Sequence, residues 1–136
     1  RCNGGGGRAG ITAYEPGSGS TIMSYAGACG PDNIQFNTDL YFHAGSIEEI
    51  QYFFTESIGA DCGTFVSTDN NDPEVTLTYV DNFFIPISTP FELEGTASDP
   101  DGETVNYCWE AIDAGPETPL GEPVGNTAIF RTLPPV

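Results

Sequence analysis

The chain has 136 residues, of which 38% are hydrophobic and 12% aromatic, and it sets 20 Asp and Glu against three Arg, no Lys and one His, for a net charge of −17. That aromatic content builds a folded core rather than a disordered tract. A surface this negative repels phosphate backbones and anionic lipid heads, which argues against nucleic-acid or membrane-surface binding. It suits Ca²⁺, a basic partner or a salty medium, and the plainer reading is a solvated acidic surface that keeps the protein soluble.

Residues Asn3 to Gly19 are rich in glycine, with Gly4-Gly5-Gly6-Gly7 and Pro16-Gly17-Ser18-Gly19, and read as irregular loop able to wrap closely around something. A phosphate-cradling loop fails, because no Lys follows it, no strand precedes it and the field is negative. The next stretch, Gly19 to Gly27, carries the only methionine, Met23, between small residues, with Tyr25 two positions on. A lone Met ordinarily fills a gap in a core.

The longer string from Ala13 to Gly30, AYEPGSGSTIMSYAGACG, taken with Asn33-Ile34-Gln35 and Tyr41-Phe42-His43-Ala44, resembles the reprolysin-like metallopeptidases of secreted bacterial proteins, members of the metzincins. The resemblance implies that Gly19 to Gly27 is a Met-turn, with Met23 under a zinc ion and Tyr25 close enough to help stabilise an oxyanion, where zinc polarises the scissile carbonyl of a polypeptide substrate. The family's HExxHxxGxxH zinc motif needs three histidines and the chain has one. Residues 1–66 are therefore expected to be the C-terminal part of a protease domain, with the zinc ligands and the general base upstream of Arg1.

His43 stands alone before a helix start, without a second His or a Cys at ligand spacing, and reads as a structural histidine whose ring nitrogens bond to backbone. The family pattern also has a His here, outside the zinc motif. Ser46-Ile47-Glu48-Glu49 is a capping box, and Ile47, Ile50, Phe54 and Ile58 recur at helical spacing up to Gly59, so an amphipathic helix is expected from Ser46. The resemblance makes it the last helix of the protease subdomain, packed on the Met-turn loop. Glu48 and Glu49 are adjacent, point in different directions, and serve the helix dipole better than a paired-carboxylate mechanism.

Cys62 to Phe65 closes this unit, and the polar run from Ser67 to Pro73 marks a linker over residues 67–74. Beyond it, Val75, Leu77 and Tyr79 alternate with Thr76, Thr78 and Val80, followed by Phe83-Phe84-Ile85, Phe91 to Gly95 and Val105 to Glu110, each a strand candidate bounded by turn residues. Trp109, the only Trp, is expected to anchor a β core. The tract from Ile87 to Glu110 resembles the Ig-like or PKD-type modules appended to secreted bacterial enzymes. Such a module takes roughly 90 to 100 residues, and 64 remain from Pro73 to Val136. Residues 75–136 thus read as a partial Ig-like β module with an open edge.

The turn with Asp99, Asp101 and Glu103 offers oxygen ligands at alternate positions, as a calcium loop does, and Asp69, Asn70, Asp72 and Glu74 form a second candidate. Neither has the EF-hand pattern, and Asp-Pro-Asp-Gly also turns without an ion.

Four cysteines, Cys2, Cys29, Cys62 and Cys108, are too far apart for a CxxC knuckle or redox motif and point to an oxidising, extracellular compartment. Of the three pairings four cysteines allow, Cys29 with Cys2 or with Cys62 keeps the bridge within one half of the chain. Either would contribute ~3 to 4 kcal/mol in the chain-entropy picture. No apolar run approaches the ~18 residues of a membrane span, and Arg1-Cys2-Asn3 is not a signal peptide, so an export signal is expected upstream or already removed.

No GxSxG elbow occurs, and the acidic field is the opposite of what a cysteine nucleophile needs. The sequence thus predicts an α+β chain: a loop-rich metzincin C-terminal subdomain with one main helix, followed by an incomplete Ig-like β-sandwich. Its expected function is that of a piece of a secreted zinc metalloendopeptidase, not catalytic on its own. The alternative is a non-catalytic extracellular structural or adhesive subunit that self-assembles through the open β edge.

Overall fold

The computed structural model describes residues 9–79 and 82–130. Those residues form a small α+β protein with one helix, α1 (Ala44–Glu56), and one two-stranded antiparallel sheet, β1 (Glu74–Leu77) and β2 (Gly95–Ser98). Short 3₁₀ turns occupy Gly30–Asp32 and Ile58–Asp61. The chain divides into two compact units, Arg1–Thr64 with Tyr107–Val136, and Phe65–Asn106.

The first unit is organised around a loop. Ser20 and Thr21 are wholly inaccessible to solvent, and Ala13, Glu15, Ser18 and Asp32 are buried with them. The interior is thus largely polar and is held by hydrogen bonds. Asp32 O accepts from Ser18 N (2.8 Å), Ser18 O from Tyr25 N (2.9 Å), Ser20 O from Asp39 N (2.7 Å), and Tyr41 O from Ile22 N (3.0 Å). The Ser18 hydroxyl donates to Gly19 O at 2.8 Å and accepts from Ile34 N at 3.0 Å. Each of these amides finds an acceptor at normal distance, which is what an interior built from polar groups requires.

Helix α1 begins at Ala44, two residues ahead of the expected Ser46, because His43 is the better cap. Its Nδ1 accepts from Gly45 N at 3.1 Å, and Glu110 Oε2 accepts from Ala44 N at 2.7 Å. Two of the orphan amides of the first turn are thereby satisfied. The first turn carries no acidic side chain, so Glu48 and Glu49 lie too far along to serve the dipole as expected. The helix ends at Glu56, where Ser57 turns extended (φ −116, ψ −170). Gly59 stands past that end, against the Phe53 ring. Only Gly45 of the helix is buried.

In the second unit β1 and β2 pair in the register Glu74↔Ser98 to Leu77↔Gly95. Every residue of β1 is exposed. Tyr79 stacks on Phe83 (5.3 Å between ring centroids), and its hydroxyl donates to Glu92 O at 3.0 Å and accepts from Glu94 N. Of the expected strands, Phe83-Phe84-Ile85 and Val105 to Glu110 are not strands, and of Phe91 to Gly95 only Gly95 joins β2. The expected module ran to Val136, yet the second unit ends at Asn106 and the segment from Tyr107 belongs to the first. Trp109 falls in that first unit and is half-buried rather than the anchor of a sandwich. The reason is specific: Glu110 caps α1, and Leu120 N donates to Asp32 Oδ1 at 3.1 Å. Val80 lies outside the described residues.

Candidate functional site

The site is built outward from Glu15. Its Oε2 accepts from Ser20 N (2.8 Å) and Thr21 N (3.2 Å), and its Oε1 accepts from the Thr21 hydroxyl (2.5 Å). Charge-assisted bonds of this kind are the stronger ones, and three on one buried carboxylate fix the loop's course. Gly19 makes the approach feasible. Its φ is +69, and a Cβ there would lie 2.8 Å from the Glu15 carboxyl carbon, so any L side chain would meet both backbone strain and a clash.

The loop fixed in this way presents Met23 and Tyr25 outward. Met23 is 67% exposed and Tyr25 41% exposed. Both line an open cavity of about 230 Å³ whose other walls include Tyr14, His43, Glu49 and Ile50. The N-terminal half of α1 therefore does border the Met23 loop, through Glu49 and Ile50. The rest of its apolar stripe, Phe54 included, stays substantially exposed.

His43 is nearly inaccessible. Its side chain and that of Glu110 are 4% and 7% exposed, with Nε2 3.6 Å from Oε2. Because Nδ1 accepts the Gly45 N–H, the proton of the neutral ring sits on Nε2 and faces the carboxylate. Tyr14 stacks on the imidazole at 5.6 Å between centroids, with planes 19° apart. The expectation that both ring nitrogens bond to backbone holds for Nδ1 alone, since Nε2 faces a side-chain carboxylate. Its partner Glu110, 67 residues further along, carried no sequence signal.

Neither His43 nitrogen is left to bind a metal, and among the described residues no group of three or more His, Cys, Asp or Glu side chains is arranged to hold one. These residues by themselves do not fit a zinc ion. The acidic turn is likewise engaged elsewhere. Asp99 Oδ1 accepts from Asp101 N (2.8 Å) and Glu103 N (3.4 Å), while Asp101 accepts from Asn71 N (2.7 Å) and Asn71 Nδ2 (3.0 Å). Among the described residues Asp99, Asp101 and Glu103 do not form a group arranged to hold a metal ion. Asn71's two N–H groups hold the Asp101 carboxyl below its ordinary 3.8.

Cys29 is disulfide-bonded. Cys62, a candidate for that bridge, is instead an exposed thiol whose Sγ donates to Ile58 O at 3.5 Å. Cys2, the other candidate, lies outside the described residues. Cys108 is not in a disulfide, and its thiol lies 3.6 Å from Glu110 Oε1.

No helix among the described residues is long and apolar enough to cross a membrane. No family model, no curated protein and no solved structure matches the chain.

Proposed function

We propose that this chain is part of a secreted, reprolysin-like zinc metalloendopeptidase, supplying the Met-turn and one wall of the peptide-binding site but neither the metal ligands nor the base. The observation that carries this reading is the placement of Met23 and Tyr25 on the wall of one open cavity, on a loop whose course a buried carboxylate fixes. A Met-turn so held offers a preorganised platform, and a phenol on that wall can donate to an oxyanion. The disulfide at Cys29 agrees with an oxidising compartment. When bound by ligands from elsewhere in the protein, zinc would supply Lewis-acid chemistry at the substrate carbonyl. The residues of this chain would position the peptide and exclude water. The test is metal analysis and peptide cleavage on the native protein that contains this chain. One zinc per molecule with chelator-sensitive cleavage is expected, and a metal-free protein of about 14.4 kDa without cleavage activity would overturn the reading.

A second reading, a non-catalytic extracellular subunit that assembles through its sheet, is favoured by one observation. Among the described residues β1 and β2 pair only with each other, and Val75 and Leu77 are exposed, which leaves edges able to accept a further strand. Concentration-dependent sedimentation that a Val75→Lys substitution abolishes would support it.

A further inference from the structure

We infer that the Gly19–Ser20 peptide bond is a site of self-cleavage, in which the Gly19 acyl group passes from the Ser20 nitrogen to the Ser20 hydroxyl and the resulting ester is hydrolysed. Ser20 is wholly inaccessible to solvent, and among the described residues its Oγ has no hydrogen-bond partner. A buried hydroxyl is costly to leave unpaired, and one that a native protein keeps in that state calls for a use. Unpaired, the oxygen keeps both lone pairs for attack on the neighbouring carbonyl carbon.

The other polar groups of that peptide bond are each held by a side chain suited to the transfer. Attack by Oγ closes a five-membered ring, an intramolecular step that pays no entropy of encounter. In that ring the former carbonyl oxygen takes negative charge, and the nitrogen, receiving the Oγ proton, takes positive charge. The Ser18 hydroxyl donates to Gly19 O at 2.8 Å, and its orientation is set by Ile34 N, which donates to the same Oγ at 3.0 Å. The negative charge therefore develops against a donor already in place. On the nitrogen side Glu15 Oε2 accepts from Ser20 N at 2.8 Å, and the carboxylate is held by Thr21 N and the Thr21 hydroxyl. A fixed carboxylate at that distance stabilises the positive nitrogen.

The C–N bond between Gly19 and Ser20 breaks, a C–O bond forms to Oγ, and the Oγ proton ends on the freed amine, which pairs with Glu15. Water then adds to the ester carbonyl, leaving a carboxyl group on Gly19 and restoring the Ser20 hydroxyl. Water is the co-reactant that balances the reaction. The assignment rests on Glu15, Ser18, Gly19 and Ser20 and not on the peptidase reading.

The test takes the native protein that contains this chain, incubated at neutral pH in the presence of a chelator, with and without hydroxylamine, then reduced, denatured and mapped by mass spectrometry. A new N-terminus at Ser20 is expected, appearing with first-order kinetics at a rate independent of protein concentration. Hydroxylamine opens esters, so it should speed that appearance at least ~10-fold and leave a hydroxamate on Gly19. It also cuts Asn–Gly bonds such as Asn3-Gly4, and the Ser20 terminus separates the two reactions. Ser20→Ala, which deletes a hydroxyl without a hydrogen bond, should abolish the cleavage. Ser20→Cys should retain it through a thioester, and Ser18→Ala should slow it at least ~10-fold. An intact Gly19–Ser20 bond after hydroxylamine treatment, a rate that rises with protein concentration, or equal cleavage in Ser20→Ala would overturn the assignment. The chelator suppresses zinc-dependent cleavage, so failure here is distinguishable from failure of the peptidase reading.

Discussion

Glu15 is one of 20 acidic residues, and nothing in its sequence surroundings distinguishes it from those on the surface. The glycines around it did signal a closely wrapped loop, because Gly17 and Gly19 both adopt positive φ. What they wrap is a carboxylate that takes the place of an apolar core. Replacing it by its isostere tests this, since Glu15→Gln turns an amide's N–H₂ toward donors that need an acceptor. A loss of about 2–4 kcal/mol in unfolding free energy is expected, measured by urea unfolding with Trp109 fluorescence, the chain having a single Trp. Thr21→Val, which removes one donor and keeps the shape, should cost only about 1 kcal/mol.

The exposed acidic turn behaves differently. Asn71 lowers the Asp101 carboxyl through a backbone and a side-chain N–H, so the folded form favours the carboxylate. Its contribution is present above pH 3.8 and is lost as pH falls through the depressed folded value. Carboxyl ¹³C titration of Asn71→Ala should show the Asp101 midpoint moving up toward 3.8, only part of the way, since the backbone N–H remains.

At the scale of elements, the helix was legible from its spacing, while its boundary was not. Ser46 and Glu49 have the form of a capping box, but the chain starts α1 two residues earlier, at Ala44, with His43 as its cap. The reason is non-local: Glu110 accepts from Ala44 N and faces His43 Nε2, and a capping box cannot compete with two satisfied amides and a buried ring. His43→Ala should therefore destabilise the first unit by more than the usual ~1 kcal/mol of a lost cap, because it also leaves a buried carboxylate without its facing N–H. His43→Asn, which restores an acceptor at the cap, should recover part of that loss in the same unfolding assay. The strands fared worse as expectations. Alternation at Val75 and Leu77 did mark β1, but Phe83-Phe84-Ile85 reads as a strand and instead forms irregular chain, with Phe83 stacked on Tyr79. A short apolar run does not declare whether a neighbouring strand exists to pair with it.

Considered as a whole, the molecule distributes its order unevenly between its two units. In the first, the amides of Ser18, Ser20, Thr21 and Tyr25 all have acceptors within the loop network. In the second, the only sheet among the described residues has two strands, one of them wholly exposed, and an isolated pair of strands is marginal in water. Hydrogen exchange should separate them, with the Ser20 and Thr21 amides exchanging at least ~100-fold more slowly than those of Val75 and Ala97. The polar run expected as a linker over residues 67–74 lies within the second unit, which begins at Phe65, and Glu74 already starts β1. The return of the chain from Tyr107 to cap α1 and bond Asp32 depends on single side chains far apart in sequence. The same holds for the candidate site: Met23 and Tyr25 stood out by rarity and spacing, whereas Tyr14, Glu49 and Ile50 join them only through the fold.

The proposal that Tyr25 serves the reacting carbonyl in the protein containing this chain is tested most directly by steady-state peptide cleavage with Tyr25 intact and with Tyr25→Phe. Removal of one phenolic donor should lower kcat ~10- to 100-fold and leave KM within about twofold. Equal kcat values, or no cleavage by either protein, would contradict the account.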